Sequence, residues 1–192
     1  MNQPQKAMHS ENQLKDIFVR FINDSFFEKA ENKGKQFVID KTNVHAIREC
    51  FDWAKEVHST KGILLFGDFG VGKSAIIEGL HKFYTWMHFR NCLYKPVYKT
   101  ANKIASFFRE NDEYNISVCK TCCMLFIPEI GREPIKIYDN KPIEEVISER
   151  YDGKRTIVTS CNELKDLPYG DYIYERLNHM CKVIEMRGES KR

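Results

Sequence analysis

The stretch that decides the fold reads Ile63-Leu64-Leu65-Phe66-Gly67-Asp68-Phe69-Gly70-Val71-Gly72-Lys73-Ser74. Four consecutive apolar residues suit a strand buried on both faces. They run straight into the pattern G-x-x-x-x-G-K-[ST], matched in full from Gly67 to Ser74, and a helical pattern follows from Lys73 to about Phe89. Glycines at these positions let backbone N–H groups turn inward and approach an anion without Cβ clashes. The helix that follows adds the positive end of its dipole. The spacing therefore predicts that Gly67, Asp68, Phe69, Gly70, Val71, Gly72, Lys73, Ser74 and Ala75 wrap a phosphate chain. Lys73 would reach the β- and γ-phosphates, and the Ser74 hydroxyl would ligate Mg²⁺. The competing explanation is a glycine-rich turn that matches by chance, and the flanking strand and helix argue against it. No residue series resembling a guanine-specificity motif follows the loop, so ATP is the expected nucleotide.

Outward from the loop, short apolar runs recur at Val97-Tyr98, Met124–Ile127, Thr156–Thr159 and Val183-Ile184, with helical patterns near 101–110, 142–151 and 171–178 between them. Strands alternating with helices predict an α/β, three-layer P-loop domain with a parallel sheet covered on both faces. Upstream, Leu14, Ile17, Phe18, Phe21 and Ile22 fit one face of a short helix reaching to about Ala30, and Glu31–Lys35 reads as a linker. A second helix is expected from Asp40–Asn43, with Val44, Ile47, Phe51, Ala54 and Val57 on one side and Ser59–Gly62 ending it.

A P-loop enzyme needs an acid at the end of a neighbouring strand to hold the metal's water shell and polarise the attacking water. The candidate follows Met124-Leu125-Phe126-Ile127, but the first position after the strand is Pro128, where Asp is usual. Pro128 offers no ligand, so Glu129 would have to serve as base, as metal-shell partner, or as both. The bland alternative is that Glu129 begins a surface loop.

At 192 residues, 42% hydrophobic and 30% charged, one domain with a real core is expected. A net charge of +3 permits nucleic-acid contact without indicating it. No apolar run approaches the ~18 residues of a membrane span. The N-terminal stretch lacks an apolar segment of the secretory kind. Seven cysteines, an odd number, favour free thiols and a cytoplasmic location. Cys119-Lys120-Thr121-Cys122-Cys123 lacks the second ligand pair of a structural zinc site, and the expectation is cysteines entering a buried strand. Between Lys82 and Lys99, aromatics alternate with cations as in single-strand binders. Ile76, Leu80, Phe83, Tyr84 and Met87 fall at core spacing there, leaving Trp86 and Arg90 available, with Lys99 and Lys103, flanking the second strand and its helix, as comparable candidates for a ring-pore contact.

Taken in order, Leu64–Gly67, Phe126–Glu133 (FIPEIGRE), Thr156–Ser160, Tyr169–Leu177 (YGDYIYERL) and Arg187–Arg192 (RGESKR) resemble the DnaC/IstB-like branch of AAA+ ATPases from about residue 40 onward. The resemblance implies residues 40–192 as an AAA+-type ATP-binding domain. Residues 1–39 would then form a partly disordered extension with a partner-binding helix. It implies a sensor-1 residue at the end of 156–160, either Asn162 or Cys161, because the family ends this strand Thr-Ser-Asn and Cys161 intervenes here. It implies that Arg176 is an arginine finger reaching a neighbouring subunit's γ-phosphate, with a weaker match at Arg192. Members of the branch load a replicative helicase onto single-stranded DNA or assist a transposase. The resemblance thus implies a homo-oligomer working with such partners. A nucleotide-gated binding module with little hydrolysis is the alternative that Pro128 leaves open.

Overall fold

The computed structural model describes residues 9–29, 32–56, 59–88, 95–133, 141–151, 153–160 and 164–190. Five strands form one sheet: β1 (Gly62–Gly67), β2 (Val97–Tyr98), β3 (Met124–Ile127), β4 (Arg155–Thr159) and β5 (Cys181–Met186). Their spatial order is β2-β3-β4-β1-β5, and every pairing is parallel. β1 sits between β4 and β5, its Leu64 beside Val158 on one side and Val183 on the other. A strand flanked on both sides and both faces must be apolar, which is why Ile63, Leu64 and Leu65 are fully buried.

Seven helices cover the sheet in the described residues: α1 (Glu11–Phe27), α2 (Val44–Lys55), α3 (Lys73–His88), α4 (Ala101–Arg109), α5 (Glu113–Thr121), α6 (Pro142–Arg150) and α7 (Asp171–Met180). Alternate residues of the strands feed two cores. Ile63, Leu65, Phe126 and Ile157 join the layer of α1, α2 and α3, while Leu64, Leu125, Ile127 and Val158 join that of α4, α6 and α7. The α/β three-layer arrangement matches the expectation from sequence.

Three details depart from that reading. The second helix stops at Lys55, not at Ser59–Gly62, and Gly62 already belongs to β1. Helix α5 was not foreseen; it starts at Asp112, whose carboxylate accepts from the Asn115 N–H at 3.1 Å. Consequently the cysteines do not enter a strand. Cys119 lies inside α5, Cys122 closes it, and Cys123 is exposed before β3 begins.

Helix α1 lies along α3. Ser10 and Gln13 form a reciprocal capping box at its start. Phe18 stacks near Phe51 and Phe83, and Ile22 sits over Gly79, where a Cβ would meet Ile22 backbone atoms at 2.8 Å. Lys82 pairs with Glu28 at 2.7 Å and Lys29 with Glu78 at 3.2 Å. The packing carries the end of α1 to the start of α3, beside the glycine-rich loop.

Candidate functional site

β1 delivers the chain into the loop at Gly67, whose φ of 124° and close approach to the Met186 carbonyl exclude a side chain. Gly70 and Gly72 also have positive φ, at 81° and 103°. A Cβ on Gly72 would sit 2.5 Å from the buried Phe37 ring, so this glycine answers both conformation and space. Val71 is wholly buried and anchors the loop. Lys73 is buried, its ammonium held by the carbonyls of Gly67 at 2.9 Å and Asp68 at 2.5 Å. Ser74 and Ala75 follow in the first turn of α3. Gly70, Gly72, Lys73, Ser74 and Ala75 line one cavity with Phe26, Lys29, Asn32, Phe69 and Glu129. Among the residues that line it, a buried ammonium, a hydroxyl and a carboxylate are groups that an Mg²⁺–nucleotide would engage.

Glu129 arrives in that cavity by a constrained route. Its φ is 60°, a left-handed conformation rare for a non-glycine residue and costly unless held. The hold comes from Thr159 at the end of β4: its hydroxyl accepts from the Glu129 N–H, and its carbonyl from the Ile130 N–H, both at 2.9 Å. The Glu129 carboxylate is partly exposed and pairs with Arg132 at 3.4 Å, whose guanidinium also lies over the Phe69 ring at 5.2 Å. Pro128 keeps its carbonyl in use, accepting from the Ala101 N–H at 3.4 Å. Sequence reasoning passed over Thr159; the available signal was a polar residue closing an otherwise apolar strand.

Beyond Glu129 the loop is tied to α7. The Gly131 N–H donates to Glu133 at 2.9 Å and to the Tyr169 hydroxyl at 2.8 Å, and Tyr169 in turn donates to the buried Glu133. Burial, reinforced by the Glu133 charge, pushes the Tyr169 phenol well above its ordinary range. Glu144 from α6 clamps the start of α7, accepting from the Gly170 N–H at 3.1 Å and the Tyr172 hydroxyl at 2.6 Å. Arg176 does not line the cavity. It projects from α7, its guanidinium over the rings of Tyr151 at 5.1 Å and Tyr172 at 5.4 Å. Asn162, Cys161, Arg90 and Arg192 lie outside the described residues, as does the polar stretch 1–8. Trp86 is one-third exposed, but its ring packs among those of His9, Phe21 and Phe83.

Asp68 has a structural task that the loop pattern did not reveal. Its carboxylate accepts from the Gly188 N–H at 3.0 Å and from Arg187 at 3.1 Å, and its own N–H donates to the Met186 carbonyl at 3.0 Å. The Gly188 N–H first, then the Arg187 guanidinium, hold this carboxyl below the usual carboxylate range. The segment after β5 therefore crosses the glycine-rich loop, with Ser190 against Gly70.

Strand order, loop and flanking helices together give a three-layer α/β P-loop fold of the AAA+ type. Within that class the fold is DnaC-like. It is similar to the DnaC helicase loader (TM-score 0.66, 17% identity, covering 78% of this chain and 92% of that one). It is also similar to DnaI (0.62, 19%, 78% and 87%). AMPPCP-bound DnaA from Aquifex aeolicus matches as well, at 0.64 and 15% over 83% of this chain, although the chain spans about half the length of that structure, 51%. No family model matches the chain, and no curated protein matches it in sequence. No helix among the described residues is long and apolar enough to cross a membrane.

Proposed function

We propose that this chain binds ATP with Mg²⁺ at the glycine-rich loop and uses the nucleotide to control self-assembly in DNA replication, in the manner of a helicase loader on or near single-stranded DNA. The observation that carries the reading is the single cavity in which Lys73, Ser74 and Glu129 converge. The likeness to the DnaC helicase loader, to DnaI and to DnaA bound to AMPPCP and single-stranded DNA supports it. Gly67 to Ala75 would cradle the phosphates, Lys73 would neutralise their charge, and Ser74 and Glu129 would hold the metal. Mg²⁺, when bound, supplies charge neutralisation at the phosphate oxygens. Glu129 orients and deprotonates the attacking water, and Arg176 of a neighbouring copy stabilises the charge developing on the phosphoryl group.

The test is steady-state ATP turnover with and without single-stranded DNA, beside Lys73→Ala and Arg176→Ala. Turnover rising with protein and DNA, and lost in both variants, is the expected result. Tight ATP binding with turnover no higher than in Lys73→Ala would sink the enzyme.

A second reading, a nucleotide-gated binding module with little hydrolysis, is favoured by Pro128 and by the Glu129–Arg132 ion pair, which engages a carboxylate that lines the cavity. Pro128→Asp separates the two: a large gain in turnover means that the native site is tuned for binding. A transposase helper differs in partner alone, and pull-down with a replicative helicase against a transposase decides it.

A further inference from the structure

The cavity at the glycine-rich loop is nearly full. Phe26, Lys29 and Asn32 line it together with Gly72, Lys73 and Ser74, and about 30 Å³ remains between them, room for little more than a water. A triphosphate therefore enters only when a wall moves. Two walls are well seated: the loop rests on the buried Val71 and Ala75, and Glu129 is held by Thr159. The third, the end of α1 with Asn32, is seated badly. Asn23 Oδ1, Ser25 Oγ and Asn32 Oδ1 are buried with no hydrogen-bond partner, three of the six such side-chain atoms among the described residues. Water would satisfy all three if the segment withdrew, so docking loses those hydrogen bonds. The holds in return are modest. The Phe26 ring meets Phe37 at 5.4 Å, and the partly exposed pairs Lys29–Glu78 and Lys82–Glu28 close at 3.2 and 2.7 Å. Earlier in the helix, by contrast, Phe18 and Ile22 are fully buried against Phe83 and Gly79 of α3 and anchor it.

We propose that the end of α1, with Asn32, is an autoinhibitory plug: it fills the phosphate site of the free chain and withdraws when nucleotide enters. Asn32 moves with the helix, because its Nδ2 donates to the Phe26 carbonyl at 3.1 Å. The state of the loop is thereby tied to α1. Whatever draws α1 off α3 raises nucleotide affinity, and nucleotide frees the end of α1 by the same factor.

The proposal rests on the nucleotide reading of the site, and its test separates the two. Isothermal titration of the full chain with ATP and with inorganic triphosphate would compare the wild type with Phe26→Ala and Ser25→Ala. Phe26→Ala removes the ring that fills the cavity and tightens both ligands about tenfold, the gain expected where roughly nine copies in ten are closed. Ser25→Ala removes an orphaned hydroxyl without adding bulk, seats the plug better and weakens both ligands about fivefold. A phenylalanine that merely completed the core would weaken binding when truncated, and Ser25 would then have no effect. Either variant binding as the wild type does, or Phe26→Ala binding more weakly, overturns the plug and leaves phosphate binding standing. Failure of the wild type and Phe26→Ala alike to bind either ligand overturns the nucleotide reading itself. Should Phe26→Ala not fold, hydrogen exchange in the wild type decides alongside Ser25→Ala. ATP should raise exchange across residues 24–29 while 17–22 stay protected, and exchange that is unchanged or lower at 24–29 overturns the plug.

Discussion

Arg150 is fully buried at the end of α6, and its guanidinium is matched by carbonyls and a hydroxyl: Thr156 Oγ1 at 3.0 Å, Cys119 O at 3.0 Å, Cys122 O at 2.8 Å and Arg155 O at 2.7 Å. It stitches α5 and the entries to β3 and β4 together. Arg150→Met should therefore orphan several buried carbonyls and cost about 3 kcal/mol in urea unfolding, with Arg150→Lys recovering little because an ammonium lacks the planar fork. Other residues drawn partly or wholly out of water bound the pH range of stability. Burial lowers the affinity of His81 for a proton, and burial pushes the thiols of Cys119 and Cys181 up to about 11 and about 12. On the acid side the unfolded chain takes up the His81 proton first, so this contribution is present above about 6.5 and fades as pH falls below it. On the alkaline side the unfolded thiols ionise first, so stability falls as pH rises from 9 towards 11. Urea midpoints across pH should show both limbs. His81→Phe should flatten the acid one, and an unchanged acid limb would remove His81 from the account.

Strands were more legible than helices, and both more than contacts. β1, β3 and β4 announced themselves because a strand buried on two faces can only be an apolar run. Helix α5 hid because its one buried residue is Cys119, so Glu113–Thr121 carries little apolar periodicity. The glycine-rich loop was legible residue by residue because its geometry is local. Thr159 beneath Glu129, Asn32 in the cavity and the Asp68–Gly188 clamp were not, because each joins segments tens of residues apart that leave no local pattern. The packing of α1 on α3 gives a prediction at this scale. Gly79→Val would drive a side chain into Ile22 and lift α1, costing about 1–3 kcal/mol as overpacking does. Hydrogen exchange in Glu11–Phe27 should then rise while β1 and β4 stay protected. Equal protection in α1 would mean that the helix shifts along α3 instead of leaving it.

Assembly tests the whole molecule, because one copy holds only part of the proposed catalytic set. Glu129 lines the cavity of its own chain, whereas Arg176 projects from α7 with its guanidinium over Tyr151 and Tyr172, outside that cavity. If Arg176 serves a neighbour's nucleotide, two different lesions should complement one another. Glu129→Gln subunits keep the finger and lose the base, while Arg176→Ala subunits keep the base and lose the finger. Each variant alone should be nearly inert. In a random equal mixture, a site contributed by an Arg176→Ala copy and faced by a Glu129→Gln copy is complete, so turnover should recover to about a quarter of the wild-type rate. The lesions lie in different residues of one chain, so no exchange within a single copy can imitate this. A mixture as inactive as its components would place Arg176 with its own chain's structure, as a ring-stacked surface arginine on α7. Recovery would also explain why the loop bearing Glu129 is tied through Glu133 and Tyr169 to the start of α7. That tie would join a subunit's own nucleotide site to the helix that reaches the next.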